Sequence, residues 1–187
     1  KYLSLFIVIA FIITLSILGY LYVGNIIVVI ICGSGLAAIV AWLLTTFHYP
    51  LEPDRILPLY LWTLAALMAH IAEEYLYNFA GRMSETFHIH LTERIFTATF
   101  PIEGYIIWIL GALAILYRHP LGGWLAWFIF IGPGVAEFSH YLFPFAVGGH
   151  YQYFPGMYTA FLPMIPGILG IRRSILDSKK LRRTGQH

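Results

Sequence analysis

The stretch Ala65-Ala66-Leu67-Met68-Ala69-His70-Ile71-Ala72-Glu73-Glu74-Tyr75 decides how the chain is read. It lies late in an apolar segment, Ile56 to Tyr77, long enough as a helix to cross a bilayer. Positions i, i+3 and i+4 share one face of a helix. His70, Glu73 and Glu74 therefore project to one side, with the two glutamates splayed by one residue step. Ionisable groups inside a membrane helix are costly. They persist where they face a bundle interior, pair with polar groups or bind a metal. The stretch is read as the functional centre, and the rest of the chain as the source of its partners.

Composition agrees with a membrane setting. Of 187 residues, 59% are hydrophobic and 11% charged, and the mean hydropathy is +0.77. An ordinary soluble domain carries about 25% charged residues. The expected fold class is all-α: a polytopic transmembrane helical bundle of about six spans. The single cysteine, Cys32, permits no internal disulfide. Lys1 and the apolar run after it read as a membrane anchor rather than a cleaved signal. No nucleic-acid signature, Gly-rich phosphate loop or Ser/His/Asp pattern stands out.

The expected spans are Leu3 to Val23, Ile26 to Phe47, Ile56 to Tyr77, Phe96 to Tyr117, Gly122 to Pro144 and Gly156 to Ile171. Gly33-Ser34-Gly35 loosens the second span and allows close helix packing. Gly132-Pro133-Gly134 interrupts the fifth, and Pro163 and Pro166 bend the sixth. Three units follow: an N-terminal transmembrane hairpin (1–47), a four-span functional core (56–173) and a basic cytoplasmic tail (174–187). With six spans both termini share one side. That side holds Lys1, Arg55, Arg118, Arg172, Arg173, Lys179, Lys180, Arg182 and Arg183, against Arg82 and Arg94 on the other. The positive-inside rule makes the termini cytoplasmic, in a plasma or inner membrane. The tail also offers a surface to anionic membrane lipids.

The intramembrane polar residues share a depth. His70 lies 14 residues, about 21 Å, from the cytoplasmic end of its span; Glu103 lies about 21 Å from Tyr117, and Glu137 about 22 Å from Gly122. In a core about 30 Å thick all three fall in the outer half. His140 lies one turn further out, and His150 sits in the loop beyond. One shared site near the non-cytoplasmic face is inferred, whereas His88 and His90 belong to the outer water interface.

His70-x-x-Glu73 and Glu137-x-x-His140 are His/Glu pairs at helical spacing in opposite order. Carboxylate-bridged dimetal bundles use such pairs plus a Glu from each remaining helix. Glu103 supplies one; Glu74 or His150 must complete the set, since span six offers only Tyr158 and Thr159 nearby. The candidate ligands are thus His70, Glu73, Glu74, Glu103, Glu137, His140 and His150, with Glu73 and Glu74 as catalytic candidates. One or two divalent ions are implied, and mixed N/O ligands suit Fe, Zn or Mn alike.

His70-Ile71-Ala72-Glu73-Glu74 is a His-x-x-Glu-Glu motif. With Glu137, His140 and the segment from His150 through Tyr153-Phe154-Pro155-Gly156-Met157-Tyr158-Thr159-Ala160, the chain resembles the HXXEE family of multispan membrane proteins over roughly Ile56 to Ile171. The resemblance implies a fold and a site; it implies no reaction. Three functions compete. The first is a metal-dependent enzyme on a lipid or other apolar substrate, either an oxidase or hydroxylase, or a hydrolase with Glu73 or Glu74 as base. The others are a metal-free acid/base lipid isomerase and a proton-coupled transporter. A purely structural subunit is the blandest alternative.

Overall fold

The computed structural model describes residues 2–148 and 150–184. Lys1, counted above as a topology charge, and the last three residues of the basic tail lie outside the described residues. All regular structure among the described residues is helical. The first three helices are α1 (Tyr2–Tyr22), α2 (Asn25–Leu44) and α3 (Pro53–Leu76). The connection after α3 folds into α4 (Phe79–Phe87), an amphipathic helix that buries Phe79, Ala80 and Met83. Next come α5 (Glu93–Thr97), a π-helical stretch (Ala98–Gly104) and α6 (Tyr105–Leu116), which together make one rod. A second rod joins α7 (Pro120–Ile129), a π turn (Phe130–Gly134) and a 3-10 helix (Val135–Tyr141). The chain ends with α8 (Phe143–Val147) and α9 (Phe161–Thr184).

Among the described residues, five elements are long and apolar enough to cross a membrane: α1, α2, α3 and the rods 93–116 and 120–141. Their outward faces carry Phe6, Ile13 and Leu21 on α1 and Ile106, Ile109 and Leu113 on α6, all exposed. So much contiguous apolar surface marks a lipid-facing protein. The helix ends follow from local chemistry. Pro53 opens α3 at its first position, where the missing N–H costs nothing. This start lies three residues before Ile56, so Pro58 falls inside the helix rather than in its first turn. Asn78, at φ 58°, caps α4 by accepting from the Gly81 N–H. Thr92 does the same for α5, accepting from the Ile95 N–H at 3.2 Å.

Two apolar clusters hold the helices together. One joins α1, α2 and α7 through Val8, Ile12, Ala38, Trp42, Trp124 and Trp127. The Trp127 indole also donates to Thr46 Oγ1 at 3.1 Å. Gly35 lets α1 approach α2, since a Cβ there would lie 2.8 Å from the Ile12 side chain. The second cluster gathers Ile56, Tyr60, Leu67, Ile71, Phe79, Phe96, Phe130 and Phe154 around α3.

α9 departs from the sequence reading. It begins at Phe161, after turns over 155–160, and continues through the basic tail to Thr184. Asp177 explains the continuation. Its carboxylate accepts from Arg55 at 3.1 Å and from Arg173 at 2.9 Å, which binds the tail to the start of α3. Thr159, just before α9, lies beside His70 near the other end of α3. α9 therefore runs antiparallel to α3. Its apolar part, Phe161 to Ile171, is about 16 Å long, short of a bilayer core of about 30 Å. Gly134 and Gly167 allow α9 to press on the π turn; a Cβ on Gly167 would lie 3.0 Å from Gly134 Cα and from the Phe130 carbonyl. Gly167→Val should thus destabilise the protein by about 1–3 kcal/mol through overpacking. Denaturant unfolding in detergent reads this, and an unchanged midpoint would contradict the packing described.

Candidate functional site

The site begins with two irregularities in otherwise helical rods. Gly132-Pro133-Gly134 cannot sustain an α-helix: proline lacks the N–H and clashes with the preceding turn. The chain passes through a π turn and leaves as a 3-10 helix over Val135–Tyr141. A 3-10 helix has three residues per turn, so i and i+3 eclipse. Glu137 and His140 are stacked by this geometry, and Glu137 Oε2 lies 3.1 Å from His140 Nε2.

The other half comes from α3. His70, wholly buried, places Nε2 at 3.1 Å from Glu137 Oε2 and 3.2 Å from His140 Nε2. The imidazoles meet edge to face, with centroids 4.6 Å apart. His70, Glu137 and His140 thus bring three ligand atoms to one point, as a group able to hold a metal ion. Glu74 stands beside it, with Oε1 3.4 Å from His140 Nε2 and 3.9 Å from His70 Nε2.

The outer nitrogens fix the tautomers. His140 Nδ1 lies 2.7 Å from the Pro155 carbonyl oxygen, which can only accept, so Nδ1 carries the proton. His70 Nδ1 lies 3.1 Å from Thr159 Oγ1. That hydroxyl donates its own hydrogen to Glu73, so it accepts from His70 Nδ1–H. With the rings neutral, both Nε2 atoms then turn lone pairs towards Glu137 Oε2. Three electron-rich atoms at 3.1–3.2 Å repel one another unless positive charge lies between them.

Glu73 does not join this group. Its Oε1 accepts from the Tyr153 hydroxyl at 2.6 Å and from the Gly156 and Tyr158 N–H groups at 3.2 and 3.1 Å. Its Oε2 accepts from the Thr159 N–H at 2.7 Å and from the Thr159 hydroxyl. Five donors fill a carboxylate with about four lone-pair positions. Glu73 thus holds the loop over 153–159 against α3. Burial and the neighbouring carboxylate keep the Tyr153 phenol above its ordinary range, so it stays a donor. Gly156, at φ +95°, lies so close to the site that a Cβ would stand 2.3 Å from His140 Nδ1 and 2.9 Å from His70 Cε1.

The remaining candidates lie elsewhere. Glu103 is exposed on the π-helical stretch, where the wider turn around Pro101 changes the register that an α-helical count assumes. His150 is exposed in the loop after α8, and His88 and His90 are exposed beyond α4. Sequence reasoning takes Pro155 and Gly156 as the start of the sixth span and the Tyr153–Ala160 segment as part of the resemblance; it gives Pro155, Gly156 and Tyr153 no individual part in the site and Thr159 only proximity. The signal was the clustering of turn-forming and hydroxyl residues before the last helix. No protein-family model, curated protein or solved structure matches the chain.

Gly156→Ala should therefore displace both imidazoles and expose the 153–159 loop. Hydrogen exchange in micelles is expected to show lost protection at residues 156–159 while α1 and α2 keep theirs. Unchanged protection at those amides would contradict the placement of Gly156.

Proposed function

We propose that the chain is a metal-dependent integral-membrane enzyme acting on a lipid or other apolar substrate, with one divalent ion held by His70, Glu137 and His140. The observation that carries this reading is the convergence of two imidazole Nε2 atoms and one carboxylate oxygen at 3.1–3.2 Å. Ligand atoms at about 2.0–2.1 Å from a tetrahedral ion are about 3.3 Å apart, and cis positions of an octahedral ion are about 3.0 Å apart. The observed spacing suits either, so it supports Zn, Fe or Mn alike. Two histidines and one carboxylate are a ligand set found in catalytic zinc sites and non-haem iron sites.

The outer shell supports the same reading. Ligating histidines usually donate their second N–H to a carbonyl or carboxylate, which fixes the ring and raises its basicity. His140 does so to Pro155, and His70 does so through Thr159 to Glu73. A bound ion would supply Lewis-acid or redox chemistry. Glu74, close to His140 but outside the three-atom group, is the residue positioned to take or give a proton. In this reading Glu73 is a positioning residue.

A second reading is acid/base chemistry without metal. It is favoured by the same short contacts, since one proton on His140 Nε2 would relieve the repulsion with Glu137. The topology proposed with either reading has α9 as a sixth, partial span and the termini on the cytoplasmic side. It rests on the basic residues of α9 and on Arg55 and Arg118.

Elemental analysis of detergent-purified protein separates the readings. About one Zn, Fe or Mn per chain is expected in the wild type and none in His70→Ala or His140→Ala. Thr159→Val should weaken metal affinity about 10–100-fold, and Glu74→Gln should keep the metal. A correctly folded wild type that stays metal-free after incubation with each ion would overturn the metal reading and leave the acid/base one.

A further inference from the structure

The cavity at the C-terminal end of α3 is unused by the metal reading. Its volume is about 250 Å³, and its walls include Glu74, Tyr75, Asn78, Phe79, Glu93 and Phe96. It adjoins the three-atom group through two of these residues. Glu74 reaches His140 with Oε1 at 3.4 Å, and the Phe79 ring lies 5.2 Å from the His140 ring. Glu74 and Phe79 thus belong to both the cavity and the site.

The lining has a definite chemistry. It holds two carboxylates and no lysine, arginine or histidine. Glu74, at 6% exposure, is buried, while Glu93 is exposed. The lining also includes aromatic side chains: Phe79 and Phe96, buried and packed 5.9 Å apart, and Tyr75, half exposed. Aromatic faces beside carboxylates recognise organic cations, because the ring quadrupole and the acidic oxygens both attract a weakly hydrated ammonium. The rim also carries Leu76, 75% exposed on the outward face of a membrane helix. An apolar tail attached to the cation can lie along that face in the lipid.

We propose that this cavity binds an organic cation, an ammonium-bearing amphiphile with its charged head between Glu93 and Glu74. Its standing as the substrate rests on the reading of the His70–Glu137–His140 group as the reaction centre; its binding does not. A cavity of this size takes a headgroup rather than a whole lipid. The arrangement selects for charge: an anion of the same size would meet two carboxylates and no counter-charge.

The test is calorimetric titration of the full chain in maltoside micelles, which carry no ammonium. Benzyltrimethylammonium is the probe and benzenesulfonate the anion of similar size. Saturable binding of one cation per chain, without binding of the anion, is expected. Glu93→Gln should weaken the cation about fivefold, and Glu93→Lys should abolish its binding; Glu93 is exposed, so both variants keep the fold. The titration is repeated on chelator-treated protein. Cation binding that persists after the metal is stripped supports this proposal independently of the metal reading, which falls only if the wild type takes up none of the ions. Equal binding of cation and anion, or wild-type binding by Glu93→Lys, overturns this proposal and leaves the metal reading standing.

Discussion

A carboxylate in α3 holds an irregular loop against a membrane helix, and the rest of the site depends on that interaction. The segment over 153–159 is not helical, so its backbone N–H groups need partners that a lipid environment cannot provide. Glu73 accepts three of them, from Gly156, Tyr158 and Thr159, together with the hydroxyls of Tyr153 and Thr159. Unpaired buried donors cost about 1–3 kcal/mol each, so this one side chain decides whether the loop can turn where it does. The turn then sets two further contacts. The Pro155 carbonyl orients His140, and the Thr159 hydroxyl orients His70.

The second constraint is the broken rod that carries Glu137 and His140. A continuous α-helix would offset residues three apart, whereas the 3-10 turn stacks them. Gly132, Pro133 and Gly134 bring about the change of helix type, and Gly134 also lets α9 approach, with Gly167 opposite it. The same short sequence therefore shapes the ligand geometry and seats the last helix. The Arg55–Asp177 pair, in which only the aspartate is buried, fixes the far end of that helix on α3. Its exposed arginine limits its contribution to stability. Its value is in register, since sliding α9 by a turn would separate Thr159 from Glu73.

Much of this was legible in the sequence. Long apolar runs mark the five membrane-length elements, because a bilayer demands length and apolarity before anything else. His70, Glu137 and His140 are recognisable as costly residues at matching depth, and they do converge. Glu73 was harder. It lies one position from Glu74 on the same side of the helix, and only the return path of the loop decides which carboxylate meets imidazole and which meets backbone amides. Glu103 sits at a similar depth, but a π-helical stretch carries it to the exposed surface, and a count of 3.6 residues per turn cannot anticipate that. Asp177 reads as a polar tail because its partner, Arg55, is 122 residues away. Periodicity reports regular local structure, while the parts that escaped it are a change of helix type and long-range pairings of single residues.

The central claim is that His70, Glu137 and His140 hold one ion through two imidazoles and a carboxylate. X-ray absorption at the edge of the co-purified metal tests it most directly. The account predicts a shell of light N/O ligands near 2.0–2.1 Å with the multiple-scattering signature of two histidines, lost in His140→Ala. A spectrum with no histidine scattering, with sulfur from Cys32 in the first shell, or unchanged in His140→Ala would contradict it.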